Sequence, residues 1–239
     1  MISFVSTIFE NFPDWGPRLL DAGWVSCILT ICGFLLAFPL GIAIEFIRTR
    51  RSPIFRLSAD AYVSVMRGVP ILVILYLLYF ALPEAGIALP SLLAGILGLA
   101  LVYSAYLAEV FRAGFAAVPS GQREAAMASG LRPWQTFRLI LLPQVVRKVL
   151  PPLLINLVSL LKDSSICALI AVPELTLTSR AIMSESFLPL HIFIVTACGY
   201  FIIAWPASLA VRNLERWLSR RAEGSKTARS RQDLLAKPA

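Results

Sequence analysis

The chain has 239 residues, 58% of them hydrophobic and 15% charged, with a mean hydropathy of +0.76. It is too apolar and too poor in charge for a water-soluble domain, so the sequence specifies an integral membrane protein. The net charge of +8 would point a soluble protein toward nucleic acid. Here the basic residues stand beside apolar segments, where they set membrane orientation and meet anionic lipid headgroups, and no nucleic-acid partner is expected.

The apolar runs last about twenty residues or more and do not alternate in two-residue steps. That excludes a transmembrane barrel and leaves helices to satisfy the backbone, so the fold class is all-α. Residues 1–21 carry Glu10, Asp14 and Asp21 against Arg18, without the basic start or small-residue cleavage site of a signal peptide. They read as an extracytoplasmic segment ahead of a retained first span, 22–46. Arg48, Arg50, Arg51 and Arg56 follow it. By the positive-inside rule, the N-terminus lies outside and this first loop lies in the cytoplasm.

A second span over 61–82 contains Arg67-Gly68-Val69-Pro70. Pro70 removes a backbone donor and Gly68 relaxes the chain, so a break is expected near the cytoplasmic end, with Arg67 reaching to the headgroups. The third span, 91–118, is about 42 Å long as helix, more than the hydrocarbon core requires, and its inner end should protrude. Glu109 and Arg112 stand there at i,i+3 spacing and read as a local ion pair, with Glu109 also a candidate carboxylate on a substrate pathway.

The insert 119–148 has Arg123, Arg132, Arg138, Arg147 and Lys148 against Glu124, which again places it in the cytoplasm. Span four, 149–172, carries Lys162-Asp163-Ser164-Ser165 near its middle. Charges at bilayer depth face a bundle interior or a water-filled cavity, which makes Lys162, Asp163 and Ser164 candidate pathway residues. Neighbouring Lys and Asp point about 100° apart on a helix, so other partners or a broken helix are expected there. The outer loop 173–189 has room for a short surface helix, and span five, 190–211, starts beside the single histidine, His191, which reads as an interfacial residue. The basic tail 212–239 is expected to be cytoplasmic and unstructured at its end. Cys27, Cys32, Cys167 and Cys198 lie in apolar runs without metal or disulfide spacing, and no metal is expected.

The insert is the polar island of the chain. Gln122–Ser129 is rich in helix formers, Gly130 is placed to end that helix, and Pro133 suits the first turn of a second. Trp134, Phe137 and Leu141 fall at i, i+3 and i+7, an apolar face for packing against the membrane side. Small side chains on the first helix suit insertion into a partner's groove.

These residues resemble a known family. Glu124-Ala125-Ala126, Gly130 four residues later, then Ile140 and Leu142-Pro143 match the EAA motif of permease subunits of binding-protein-dependent ABC importers. Arg67-Gly68-Val69-Pro70, Ala105-Tyr106-Leu107-Ala108-Glu109, Ala117 to Gln122, Trp134 to Phe137, Leu150-Pro151-Pro152 and Ser159 to Ser164 are similar to the polar amino-acid branch that handles histidine, glutamine, arginine and opines. The resemblance covers residues 22–211 as a permease domain with the type I importer fold. It implies a multi-pass subunit of the bacterial inner membrane that pairs with a second permease, identical or homologous. It also implies two cytoplasmic ATP-binding subunits holding ATP and magnesium, and an outer solute-binding protein. On that resemblance Glu124, Ala125, Ala126, Gly130, Ile140, Leu142 and Pro143 form the ATPase-coupling site.

The chain contains no G-x-x-x-x-G-K-[ST] loop, so it is expected to be a transport subunit without a cofactor of its own. The competing reading is a self-sufficient secondary transporter or channel. The lack of an internal repeat and the coupling-type insert weigh against it. A membrane-embedded enzyme would need a cluster of reactive side chains that the spans do not supply.

Overall fold

The computed structural model describes the backbone of residues 2–235 and the side chains of 4–214 and of Arg216. The described residues form helices and no strand. In chain order they are α1 (Ile2–Arg48), α2 (Pro53–Gly68), α3 (Ile71–Tyr76), α4 (Ser91–Ala116), α5 (Ser120–Ala128), α6 (Pro133–Gln135), α7 (Leu142–Asp163), α8 (Leu175–Ser186) and α9 (Pro189–Leu235). A π-helical segment, Leu77–Ala81, and a 3₁₀ turn, Leu82–Ala85, extend α3. A second π segment, Thr136–Leu141, joins α6 to α7, and a 3₁₀ segment, Ser164–Ile170, follows α7.

Among the described residues four helical stretches are long and apolar enough to cross a membrane, and a fifth is reached if α2 and α3 together count as one. The second span is therefore divided between α2 and α3 at Val69-Pro70, where the sequence predicts a break. Pro70 biases the residue before it to an extended backbone, and both Val69 (φ −90°, ψ 133°) and Pro70 (φ −57°, ψ 136°) are extended. Two extended residues in succession turn the chain, and α2 and α3 meet at 103°.

Helix α4 is the centre of the bundle: 61% of its apolar window is buried, against 28% for α1 and 11% for α9. Leu99, Tyr103 and Leu107 of α4 form one core with Leu29 of α1, Leu75 of α3, Leu160 of α7 and Ile170. In hydrocarbon, apolar helices gain nothing by leaving lipid, so close surface contact between small residues has to hold them together. At Gly41 of α1 a Cβ would stand 2.9 Å from Leu107 Cβ and 3.0 Å from the Ser104 carbonyl oxygen. Only glycine allows this approach.

The N-terminal segment is helical from Ile2 and continuous with the first span. Its acidic residues set the start of the expected first span at residue 22. Trp15, Leu19 and Ala22 nevertheless pack on Leu175 and Ile182 of α8 and Ile192 of α9. Arg18 donates to both carboxylate oxygens of Glu185 at 2.6 and 2.9 Å, and Phe4 stacks on His191 with ring centroids 4.1 Å apart. At the other end of the chain α9 runs through the basic tail to Leu235, where composition suggests an unstructured end.

Glu174 ties these outer helices together. It is fully buried. Its carboxylate accepts the Leu177 N–H at 2.9 Å, capping α8, the Tyr200 hydroxyl of α9 at 2.5 Å and the Ser26 hydroxyl of α1 at 3.4 Å. Burial pushes this carboxyl above the usual carboxylate range, and the surrounding donors pull it back.

Two measurements test this packing. Gly41→Leu is expected to cost about 1–3 kcal/mol, read as a lower unfolding temperature in detergent, because overpacking separates α1 from α4. Gly121→Leu, with nothing within 4 Å of its Cβ, should leave that temperature unchanged. Glu174→Ala strands the Leu177 N–H and leaves the Tyr200 hydroxyl with Thr176 alone, and should cost about 1–3 kcal/mol by the same assay, whereas Glu185→Ala, at an exposed pair, should not move it measurably.

Candidate coupling hairpin and translocation residues

The insert folds as a hairpin whose turn is set by one glycine. Gly130 has φ +81°. Its N–H donates to the Met127 carbonyl at 3.0 Å and the Leu131 N–H to the Ala126 carbonyl at 3.2 Å, the paired bonds of a Schellman helix end. Pro133 then opens the second helix, and the Arg132 N–H is held by Gln135 Oε1 at 2.9 Å.

The residues of the EAA pattern divide between two faces. Ala126 is buried, while Glu124, Ala125, Met127 and Gly130 are exposed. Behind them Ile140 and Leu142 are half-buried, and Pro143 is exposed. Helix α5 packs on the π segment. The second helix does not end before span four: residues 133–170 form one helical stretch of 38 residues, about 57 Å long.

The expected apolar face on this second helix is altered. Phe137 and Leu141 are half-buried, but Trp134 is 65% exposed and stacks on Phe137 at 5.7 Å. An i, i+3, i+7 stripe assumes 3.6 residues per turn, and the π segment at Thr136–Leu141 breaks that register.

The candidate pathway residues are not brought into one site. Glu109 is the acceptor of an ion cluster across three helices. Arg48 of α1 donates to Glu109 Oε1 at 2.7 Å, and Arg112 donates to Glu109 Oε2 at 2.7 and 3.0 Å. Arg48 Nε also stands 2.8 Å from Asp60 Oδ1 of α2, an ion pair too bent for a hydrogen bond. Arg67 lies 4.0 Å from Glu109 and its guanidinium covers the Tyr106 ring at 5.5 Å. The expected Glu109–Arg112 pair is thus one edge of a larger network.

Asp163 accepts the Tyr103 hydroxyl at 2.7 Å, joining α7 to α4 nearly two turns away from Glu109. Helix α7 ends there, and Ser164, fully buried, begins the 3₁₀ segment with its hydroxyl on the Leu161 carbonyl at 2.7 Å. Lys162 is exposed and faces a cavity of about 530 Å³ between α7 and α9, bordered by Tyr200, Phe201, Trp205 and Arg212. A second cavity of about 530 Å³ lies between α4 and α7, beside Glu109, Arg112, Lys148 and Asn156.

Several residues of these clusters escape sequence reasoning. Arg48 reads as a loop charge, 61 residues from the carboxylate it binds. Tyr103 and Glu174 sit in stretches whose only local signals are hydropathy and a loop charge. Among the described residues no group of three His, Cys, Asp or Glu side chains is placed to hold a metal ion.

Residues 37–224 match the family described as binding-protein-dependent transport system inner membrane component. The chain is 41% identical over 200 residues to the probable amino-acid ABC transporter permease protein YckA of Bacillus subtilis, covering 84% of this chain and 88% of that protein. It is 32% identical over 211 residues to the glutamine transport system permease protein GlnP of Escherichia coli strain K12, covering 85% and 96%. A crystal structure of an amino acid ABC transporter with histidines superposes with a TM-score of 0.81 at 30% identity, over 89% of this chain and 97% of that one. An inward-facing MetNI methionine ABC transporter, at 19% identity and a TM-score of 0.63 over 82% and 95%, shares the fold. With a match of this extent and an all-helical bundle of the same architecture, the chain belongs to the family of binding-protein-dependent inner membrane transport components, as the permease subunit of an ABC importer.

Proposed function

We propose that this permease carries polar amino acids, or amino-acid derivatives such as opines, and that its α5 hairpin couples the membrane helices to separate ATP-binding subunits. The observation that carries the coupling assignment is the hairpin geometry: Ala126 anchors α5 inward while Glu124, Ala125, Met127 and Gly130 face outward, free for a partner. Ile140, Leu142 and Pro143 stand behind α5 at the start of span four and connect that contact to the membrane. The names of the relatives, an amino-acid and a glutamine permease, support the substrate class.

In this reading two ATP-binding subunits, which hold ATP and magnesium, dock on the hairpins of this chain and of a second, homologous or identical permease. A solute-loaded binding protein meets the outer face. Closure of the ATP-binding subunits brings the hairpins together and shifts the permease pair between inward-open and outward-open arrangements, the two states whose populations ATP biases. Residues 22–211 are the permease domain. Glu109, Lys162, Asp163 and Ser164 contribute to the pathway as two groups, one at the inner end of α4 and one where α7 gives way to its 3₁₀ segment.

Gly130→Trp places a bulky residue at φ +81°, which costs roughly tenfold in population of the native turn. The variant should still insert and co-purify with its partners in detergent, while uptake in proteoliposomes falls by an order of magnitude and hydrolysis continues. Normal uptake would remove the coupling assignment. For the pathway, Asp163→Asn should raise the KM for cationic amino acids and leave neutral ones unaffected; unchanged kinetics for both excludes Asp163.

A further inference from the structure

The hairpin is closed by a side-chain bridge between two neutral residues. Gln144, the third residue of α7, donates from Nε2 to Gln122 Oε1 of α5 at 3.3 Å. The same Nε2 donates to the Ile140 carbonyl, in the π segment, at 2.8 Å, which fixes the direction in which the amide points. Helix α5 buries only Ala126, so it is lightly held by apolar packing. The bridge to α7 adds a polar tie to the packing of α5 on the π segment. Because both partners are uncharged, the tie is directional and insensitive to salt.

We infer that Gln144 is a positioning residue that locks the coupling helix to the first turn of α7, within the 38-residue helix 133–170, so that a displacement imposed on α5 is delivered to span four. This rests on the coupling reading above. Without the bridge, α5 can tilt about Ala126 and Gly130, and the motion is absorbed in the hairpin. The carboxamide of Gln122 serves as an acceptor, a role a glutamate oxygen can fill and a leucine cannot.

The test uses the assembled importer, with its ATP-binding subunits and binding protein, in proteoliposomes, and reads solute transported per ATP hydrolysed. Gln144→Leu and Gln122→Leu should each lower this ratio about fivefold, the size expected for one net hydrogen bond. The double variant should be no worse than either single, and Gln122→Glu should restore the ratio. The wild-type and leucine-variant ratios should hold between low and high salt. A wild-type ratio in Gln122→Leu, or additive losses in the double variant, overturns the inference.

A cross-linking arm separates this failure from failure of the coupling reading. Met127 is half exposed on α5. A photoreactive group on Met127→Cys, in a chain with Cys27, Cys32, Cys167 and Cys198 replaced by alanine, should label an ATP-binding subunit. Labelling with unaffected glutamine variants rejects the Gln144 role alone; no labelling rejects the coupling reading and the inference with it.

Discussion

The inner half of the molecule depends on how near α1 comes to α4 at Gly41. A side chain there would meet Leu107 and the backbone of Ser104, so the approach is set by the absence of a Cβ. Arg48 follows seven residues later, two helical turns on and on the same face, and its bond to Glu109 is a consequence of that register. Once Arg48 is seated, Asp60 of α2 becomes its second partner, and Tyr62 donates to the Leu101 carbonyl at 3.0 Å. Three helices are thus joined where the arginine-rich loops meet the membrane. A half-buried cluster of this kind adds little net stability, because its desolvation offsets its attraction. What it fixes is the relative placement of α1, α2 and α4.

The long helix 133–170 joins the hairpin to the region of Asp163, and its irregularities fall at three places. The π segment lies against α5, Pro151 and Pro152 interrupt the hydrogen-bond ladder midway, and the 3₁₀ segment begins after Asp163. These are the positions where a helix bends with least loss of backbone bonding. Between them Val149 is set into the notch at Gly114 of α4. The bond from Tyr103 to Asp163 holds its far part to the central helix.

Local sterics are legible in the residue order alone. The break at Val69-Pro70 follows from the proline ring, and the αL turn at Gly130 from its position between a run of helix formers and Pro133. The angle of 103° at the break is not legible there, because it depends on Val63 of α2 packing with Ala105 and Ala108 of α4 and Ile44 of α1. Residues 1–21 look like a polar overhang until Trp15 and Leu19 find α8 and α9. Trp134 reads as an inward residue until the π segment shifts the register of its face.

By itself the sequence determined that the chain is an all-helical membrane protein with a polar hairpin turned at a glycine, and its loop charges set the expected sidedness. Each of these rests on short-range physics: the length of an apolar run, the charge of a loop, the freedom of one backbone position. Only the tertiary structure decided that Glu109 belongs with Arg48, that Asp163 meets Tyr103, that Glu174 is buried among α1, α8 and α9, and that Gln122 meets Gln144. Glu109 lies 61 residues from Arg48 in the chain, Asp163 lies 60 from Tyr103, and Glu174 lies 148 from Ser26. Hydropathy and periodicity describe one helix at a time, and the pairing of polar groups between helices is set by their crossing angles and registers.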